Sequence, residues 1–293
     1  MANSKELKNT ESFLRLVGDI KALFPEQDCK YAISGSLPSD PVASIWDKLG
    51  KDYINLESTD AMAATMYLLQ EHGITEIEGR QTKWLSIGSG PSLYEFYLAK
   101  LLFPVEIDSL DISIKQLETG KKVADFLKTD GSRYEKSVHR VRPINASMDA
   151  IPVETGYYDR ILLLNSLHWC VNWKNAIREV SRVLIPRKGA RVYVVMASAS
   201  IITAEGKKTL TPDLDTDSLL DQFEANGLVA KSIVNATILN GQYGRPTPRM
   251  FTVFERGNVP KEHWSDRIRS GQTKFGELTI FPDGTIQREK LNG

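Results

Sequence analysis

The chain has 293 residues, 41% hydrophobic and 25% charged, enough for one large α/β domain with additions or for two small ones. Its 37 basic and 37 acidic residues cancel, which argues against bulk nucleic acid or an anionic membrane as partner. Cys29 and Cys170 are too few for a disulfide framework and suggest neither a metal site nor a catalytic thiol. No apolar leader opens the chain, and no run reaches the roughly 18 apolar residues of a membrane span, so a soluble, cytoplasmic protein is expected.

Residues 1–75 read as a helical cover. Phe13, Leu14, Leu16, Val17, Ile20 and Leu23 have helical spacing until Pro25, Pro38 and Pro41 interrupt it. A second helix is predicted over about 58–72, with Met62, Met66 and Leu69 on one face and Gly73 as its stop. Strand and helix then alternate. Lys83–Ile87 is a short buried strand followed by Gly88-Ser89-Gly90, and Pro91 begins a helix running to Leu102. Val105–Leu110 is a second strand ending at Asp111. Ser113 opens the next helix with Gln116 at capping-box spacing, and Ile114, Leu117, Val123, Phe126 and Leu127 share a face.

His139–Asn145 is a weaker third strand, whereas Arg160–Leu164 is nearly continuously apolar, as in a strand covered on both faces. An amphipathic helix over 174–184 leads through Pro186–Gly189 into a fifth strand, Arg191–Met196. A helix over 218–226 and β runs over 231–238 and 250–255 finish the series. The rhythm predicts a Rossmann-like α/β core over 76–257: a mostly parallel, seven-stranded sheet with an antiparallel last strand and helices on both faces. Residues 258–293 form a C-terminal extension, where Pro-Asp-Gly between two β-prone runs reads as a hairpin.

The chemistry concentrates at the first strand–helix junction. Gly88 and Gly90 let backbone approach a ligand, and a carboxylate at Asp111 can accept both ribose hydroxyls of an adenosine. Either glycine could also serve an ordinary tight turn. A dinucleotide fingerprint wants a third glycine where Leu93 stands, preceded here by Ser92. S-adenosylmethionine (SAM) needs no diphosphate cradle, so the balance favours SAM over NAD.

The run IGSGPSLYE resembles motif I of the class I SAM-dependent methyltransferases, most closely that of the nicotinamide, phenylethanolamine and indolethylamine N-methyltransferase group. The resemblance implies that Gly88 and Gly90 line the methionine moiety, Tyr94 contacts its carboxylate, and Asp111 and Gln116 face the ribose. The position two before the first glycine is acidic in the superfamily, where it contacts the methionine amine, and is Ser86 here, a cofactor-binding candidate without that charge. NASMDAIPV resembles the adenine-binding stretch, with Ser147 and Met148 matched and Asn145 an alternative. YYDRILLLNSLHWCVNW resembles the fourth strand and the loop facing the transferred methyl, and IREVSRVLIPRKG the following helix and turn, with Arg187-Lys188 inserted in the usual turn.

Alignment and desolvation do most of the work in methyl transfer from a sulfonium. His168, just after the fourth strand, is the general-base candidate, with a structural histidine as the alternative; His72, His139 and His263 lie in no motif. Asn165 ends the same strand and could orient substrate or cofactor, or cap the loop. Trp169 and Trp173 read as core or as an aromatic wall, and Tyr94 and Gln116 as site residues or as packing and capping residues. Tyr31, Trp46 and Tyr53 suit a lid or ordinary packing. The function implied is methyl transfer to a small organic acceptor, nitrogen ahead of oxygen or carbon, with no nucleic acid or membrane partner. The alternatives are a protein, peptide or tRNA acceptor, and a non-catalytic SAM-binding scaffold.

Overall fold

The computed structural model describes residues 4–24, 43, 46, 47, 54, 59–76, 82–129, 134–197, 214–239, 247–281 and 286–289. Among them nine strands form one sheet: β1 Thr82–Ile87, β2 Val105–Asp111, β3 Val141–Asn145, β4 Arg160–Leu164, β5 Arg191–Ala197, β6 Leu228–Ile238, β7 Thr247–Arg256, β8 Lys274–Ile280 and β9 Ile286–Glu289. Their order is β3-β2-β1-β4-β5-β7-β6-β8-β9. The first five strands pair in parallel, as the alternation with helices predicts. β7 runs antiparallel between β5 and β6.

The expected seven strands are nine. The tail does not stand apart as an extension: β8 pairs in parallel with β6, and β9 pairs antiparallel with β8. Without β8, one side of the eleven-residue strand β6 would present unpaired backbone groups. Leu278 and Ile280 of β8 also bury in the core, so hydrogen bonding and apolar burial both drive the docking. The Pro-Asp-Gly turn itself lies outside the described residues.

Side-chain alternation divides the core into two layers. Trp84, Leu162, Leu164, Tyr193 and Val195 face a layer formed by α1 (Ser4–Leu23), α2 (Thr59–Glu71), α3 (Leu93–Leu101), α4 (Ile114–Thr129) and the short α5 (Glu135–Val138). Leu85, Ile87, Ile161, Leu163, Val192 and Val194 face α6 (Trp173–Val183) and α7 (Thr216–Ala225), with α8 (Trp264–Arg269) at the margin. Gly73 stops α2 with φ 80°, as its position predicts. Pro91 is not the first residue of α3; the helix starts at Leu93, after Ser92 at φ 62°. Trp173 packs in the core.

The N-terminal cover shares this core. Phe13, Leu16, Val17 and Ile20 of α1 are buried, and the Phe13 ring stacks on Tyr94 of α3 with centroids 5.1 Å apart. Replacing Phe13 by Ala is expected to cost about 3–5 kcal/mol, as for other buried Phe truncations. Urea unfolding of the full chain measures this. A loss below about 1 kcal/mol would mean that α1 contributes little to the folded domain.

Candidate cofactor and active site

The glycine turn is held over the tip of β2. Gly88 and Ser89 donate their N–H groups to the Leu110 carbonyl, at 2.7 and 3.1 Å. Beneath the turn, Ser109 links to Ser92 (Oγ–Oγ 2.5 Å) and donates to Ser89 (2.6 Å). Gly88 has φ 65°, and a Cβ there would lie 2.3 Å from the Cβ of Ser166. Only glycine satisfies both the backbone conformation and the contact with the loop after β4. The turn therefore lays bare backbone against a cleft at the carboxyl ends of the parallel strands, where open α/β sheets bind ligands.

Asp111, 6% exposed, closes β2 beside this turn. Its Oδ2 accepts from Gly90 N–H and its Oδ1 from Ser113 N–H, both at 2.8 Å. A carboxylate has about four lone-pair sites, so two contacts leave capacity for ribose hydroxyls. Burial raises the Asp111 carboxyl above its usual range, against the pull of the Ser113 and Gly90 hydrogen bonds. Half of the expected capping box forms: Gln116 N–H donates to Ser113 Oγ at 3.2 Å, while the Gln116 amide turns to the Trp46 carbonyl at 3.4 Å. Asp47 of the cover accepts from Ser113 Oγ at 2.5 Å and Lys115 N–H at 3.2 Å, placing a negative charge on the positive end of α4.

The cleft encloses about 240 Å³ and brings together Gly88, Gly90, Asp111, Gln116, Ser147, Met148 and Asn165. Asn165 has φ 56°, a left-handed conformation that Asn tolerates, and turns the chain at the end of β4. Across the opening, Trp46 of the cover meets Trp169 edge-on, centroids 4.9 Å apart and planes at 84°. The other residues of the suspected lid, Tyr31 and Tyr53, lie outside the described residues. Asn145 does not line the cleft; its amide donates to the Asp111 and Ile112 carbonyls, at 3.0 Å each.

His168 falls elsewhere. It is buried in the 3₁₀ turn Leu167–Trp169 and is absent from the cleft wall. Burial and the Arg249 charge push its imidazole down to about 3, leaving a weak proton acceptor at neutral pH. This placement works against the general base expected from the sequence. Arg249 arrives on β7, far along the chain, so no local pattern could reveal the pairing. Cys170 reaches the cleft, but burial pushes its thiol up to about 11.

A second, smaller cavity adjoins the turn, lined by Gly88, Ser89, Tyr94, Glu95, Leu164 and residues of the cover. Tyr94 belongs here, as does Glu95, which the sequence reading passed over. Ser86 lies buried behind them and donates its hydroxyl to Glu95 Oε1 at 2.5 Å. Burial pushes the Glu95 carboxyl up to about 7; the Ser86 hydrogen bond opposes the rise and Asp111 adds to it. An acid that holds its proton more tightly folded than unfolded stabilises the fold below about pH 4.5, and that contribution fades as pH rises through 7. At pH 8 the ionised side chain then costs the ligand-free protein about 3 kcal/mol. Glu95→Gln is expected to raise Tm by several degrees at pH 8 and to change it little at pH 5. Equal shifts at both pH values would contradict this.

Residues 85–192 match the family model described as a methyltransferase domain. No curated protein matches the sequence. Among solved structures, one from Galdieria sulphuraria described as a sarcosine dimethylglycine methyltransferase is similar at TM-score 0.55 and 15% identity, over 67% of this chain and 86% of that one. The cyclase SpnF is similar at TM-score 0.52 and 15% identity, over 67% and 81%. A SAM-dependent methyltransferase of Thermotoga maritima, described as a possible histamine N-methyltransferase, is similar at TM-score 0.50 and 14% identity, over 74% and 100%. At such identities these structures establish the fold, and the cyclase shows that the fold hosts more than one chemistry. The family match runs from Leu85 in β1 to Val192 in β5 and takes in the glycine turn and all of the described cleft wall except Trp46; the chain carries a SAM-dependent methyltransferase domain, and its cofactor is S-adenosylmethionine.

Proposed function

We propose that the protein transfers the SAM methyl group to a small organic acceptor through a nitrogen nucleophile. The supporting observation is the ionisable content of the cleft. Among the described lining residues, the acidic and thiol side chains are those of Asp111, Asp149 and Cys170. Asp111 is engaged by two backbone amides and the Cys170 thiol is held protonated; Asp149 accepts from Ser147 Oγ and, at 3.4 Å, from the Asn172 amide. None is poised to deprotonate an acceptor. A neutral amine attacks with its own lone pair, whereas a hydroxyl usually needs a base. When bound, SAM would supply an electrophilic methyl whose transfer to the amine nitrogen would release S-adenosylhomocysteine, with the amine proton passing to solvent.

In this reading Gly88, Gly90 and Tyr94 hold the methionine part, Asp111 and Gln116 the ribose, and Ser147 and Met148 the adenine. Asn165 orients the acceptor at the methyl, and Ser86 acts through its neighbours. Trp46 and Trp169 exclude water and offer π faces to the sulfonium and the ammonium product. His168 is a packing residue. The activities ascribed to the Galdieria and Thermotoga proteins are also methylations of amines. A balanced net charge favours a small molecule over RNA as acceptor.

The test is S-adenosylhomocysteine release by the full chain with SAM and matched panels of amines, phenols, peptides and tRNA. Turnover is expected with a subset of the amines. Turnover confined to phenols or macromolecules would contradict the proposal, and saturable SAM binding without turnover on any panel would favour a scaffold.

A further inference from the structure

Ser86 occupies the position where the superfamily carries an acid, so β1 brings no charge to the methionine end of the cofactor. A carboxylate is nevertheless present there. Glu95 is the third residue of α3, and it lines the smaller cavity with Gly88, Ser89 and Tyr94. It is 1% exposed. Oε1 accepts from Ser86 Oγ, while Oε2 has no hydrogen-bond partner and Glu95 no ion pair among the described residues. A buried carboxylate with one oxygen unmatched is costly to keep unless something positive is to meet it.

We infer that Glu95 supplies the carboxylate that binds the α-amino group of the cofactor, with the Ser86 hydroxyl orienting it. The acid has moved from strand to helix, and a hydroxyl donor stands in its former place. The cavity explains why this works sterically: Gly88 lines both it and the main cleft, so a ligand whose ribose meets Asp111 can send its amino-acid tail past Gly88 toward Glu95. Tyr94 beside it suits the ligand's carboxylate. The Glu95 negative charge is tolerated in the first turn of α3 by the helix dipole, and an arriving ammonium replaces the water it lacks.

The inference rests on the SAM assignment, and two ligands separate them. S-adenosylhomocysteine carries the α-amino group; 5′-methylthioadenosine keeps the adenosine and sulfur but lacks the amino-acid tail. Calorimetric titration of wild-type chain, Glu95→Gln and the Ser86→Asp/Glu95→Gln double variant with each ligand reads out affinity without turnover. In Glu95→Gln, S-adenosylhomocysteine is expected to bind at least about tenfold more weakly, the scale of a lost charge-assisted hydrogen bond, with 5′-methylthioadenosine unchanged within about twofold. Returning the acid to position 86 should recover most of the loss. If both ligands weaken equally in Glu95→Gln, or neither does, Glu95 is a structural acid and the inference fails. Wild-type chain that binds neither ligand would overturn the cofactor assignment itself.

Discussion

The site depends on one buried carboxylate. Asp111 ends β2 and receives the Gly90 amide from the neighbouring junction and the Ser113 amide from the start of α4, both at 2.8 Å. These contacts fix the glycine turn relative to the second strand and set where α4 begins. Asp47 docks the cover onto that same helix start through Ser113 and Lys115. The glycine turn, the start of α4 and the roof of the cleft are thus tied to one side chain. Removing it would leave buried amides without acceptors, a larger penalty than the net worth of the hydrogen bonds.

Local order in the sequence carried the core of this arrangement. Gly88, Gly90 and Asp111 are recognisable because glycine permits the left-handed conformation that both glycines take, and because a carboxylate ends the neighbouring strand. The alternation of apolar strands with amphipathic helices revealed the parallel half of the sheet for the same reason. What stayed hidden was non-local. The pairing of β8 with β6 depends on an edge created only when the sheet assembles, so the tail looked like an appendage. The burial of His168 near the charge of Arg249 joins residues about 80 positions apart in the chain. Glu95 was hidden differently: an acid in a first helical turn looks like ordinary dipole compensation, and only its burial against Ser86 marks it as unusual. The signal was there as a pair, an acid absent at 86 and present at 95.

The two halves of the site divide the labour. The sheet edge and its glycine turn supply rigid backbone contacts, while Trp46 and the neighbouring cover supply the roof over Trp169. The family match covers residues 85–192 and leaves out Trp46 and the rest of the cover. Glu95 and Asp111 both sit buried with raised carboxyl groups at the cofactor side of this boundary. They differ in their partners: Asp111 is held by two backbone amides, whereas Glu95 keeps one carboxylate oxygen without a hydrogen bond among the described residues.

The central claim is a pocket for an adenosyl sulfur compound organised by Asp111. Its most direct measurement is a calorimetric titration of S-adenosylhomocysteine into the wild-type chain and Asp111→Ala, with circular dichroism verifying that the variant is folded. The account predicts one saturable site in the wild type and an affinity at least about tenfold lower in the variant, about 1.4 kcal/mol. No binding by the wild type at millimolar ligand, or equal affinity in the two proteins, would contradict it.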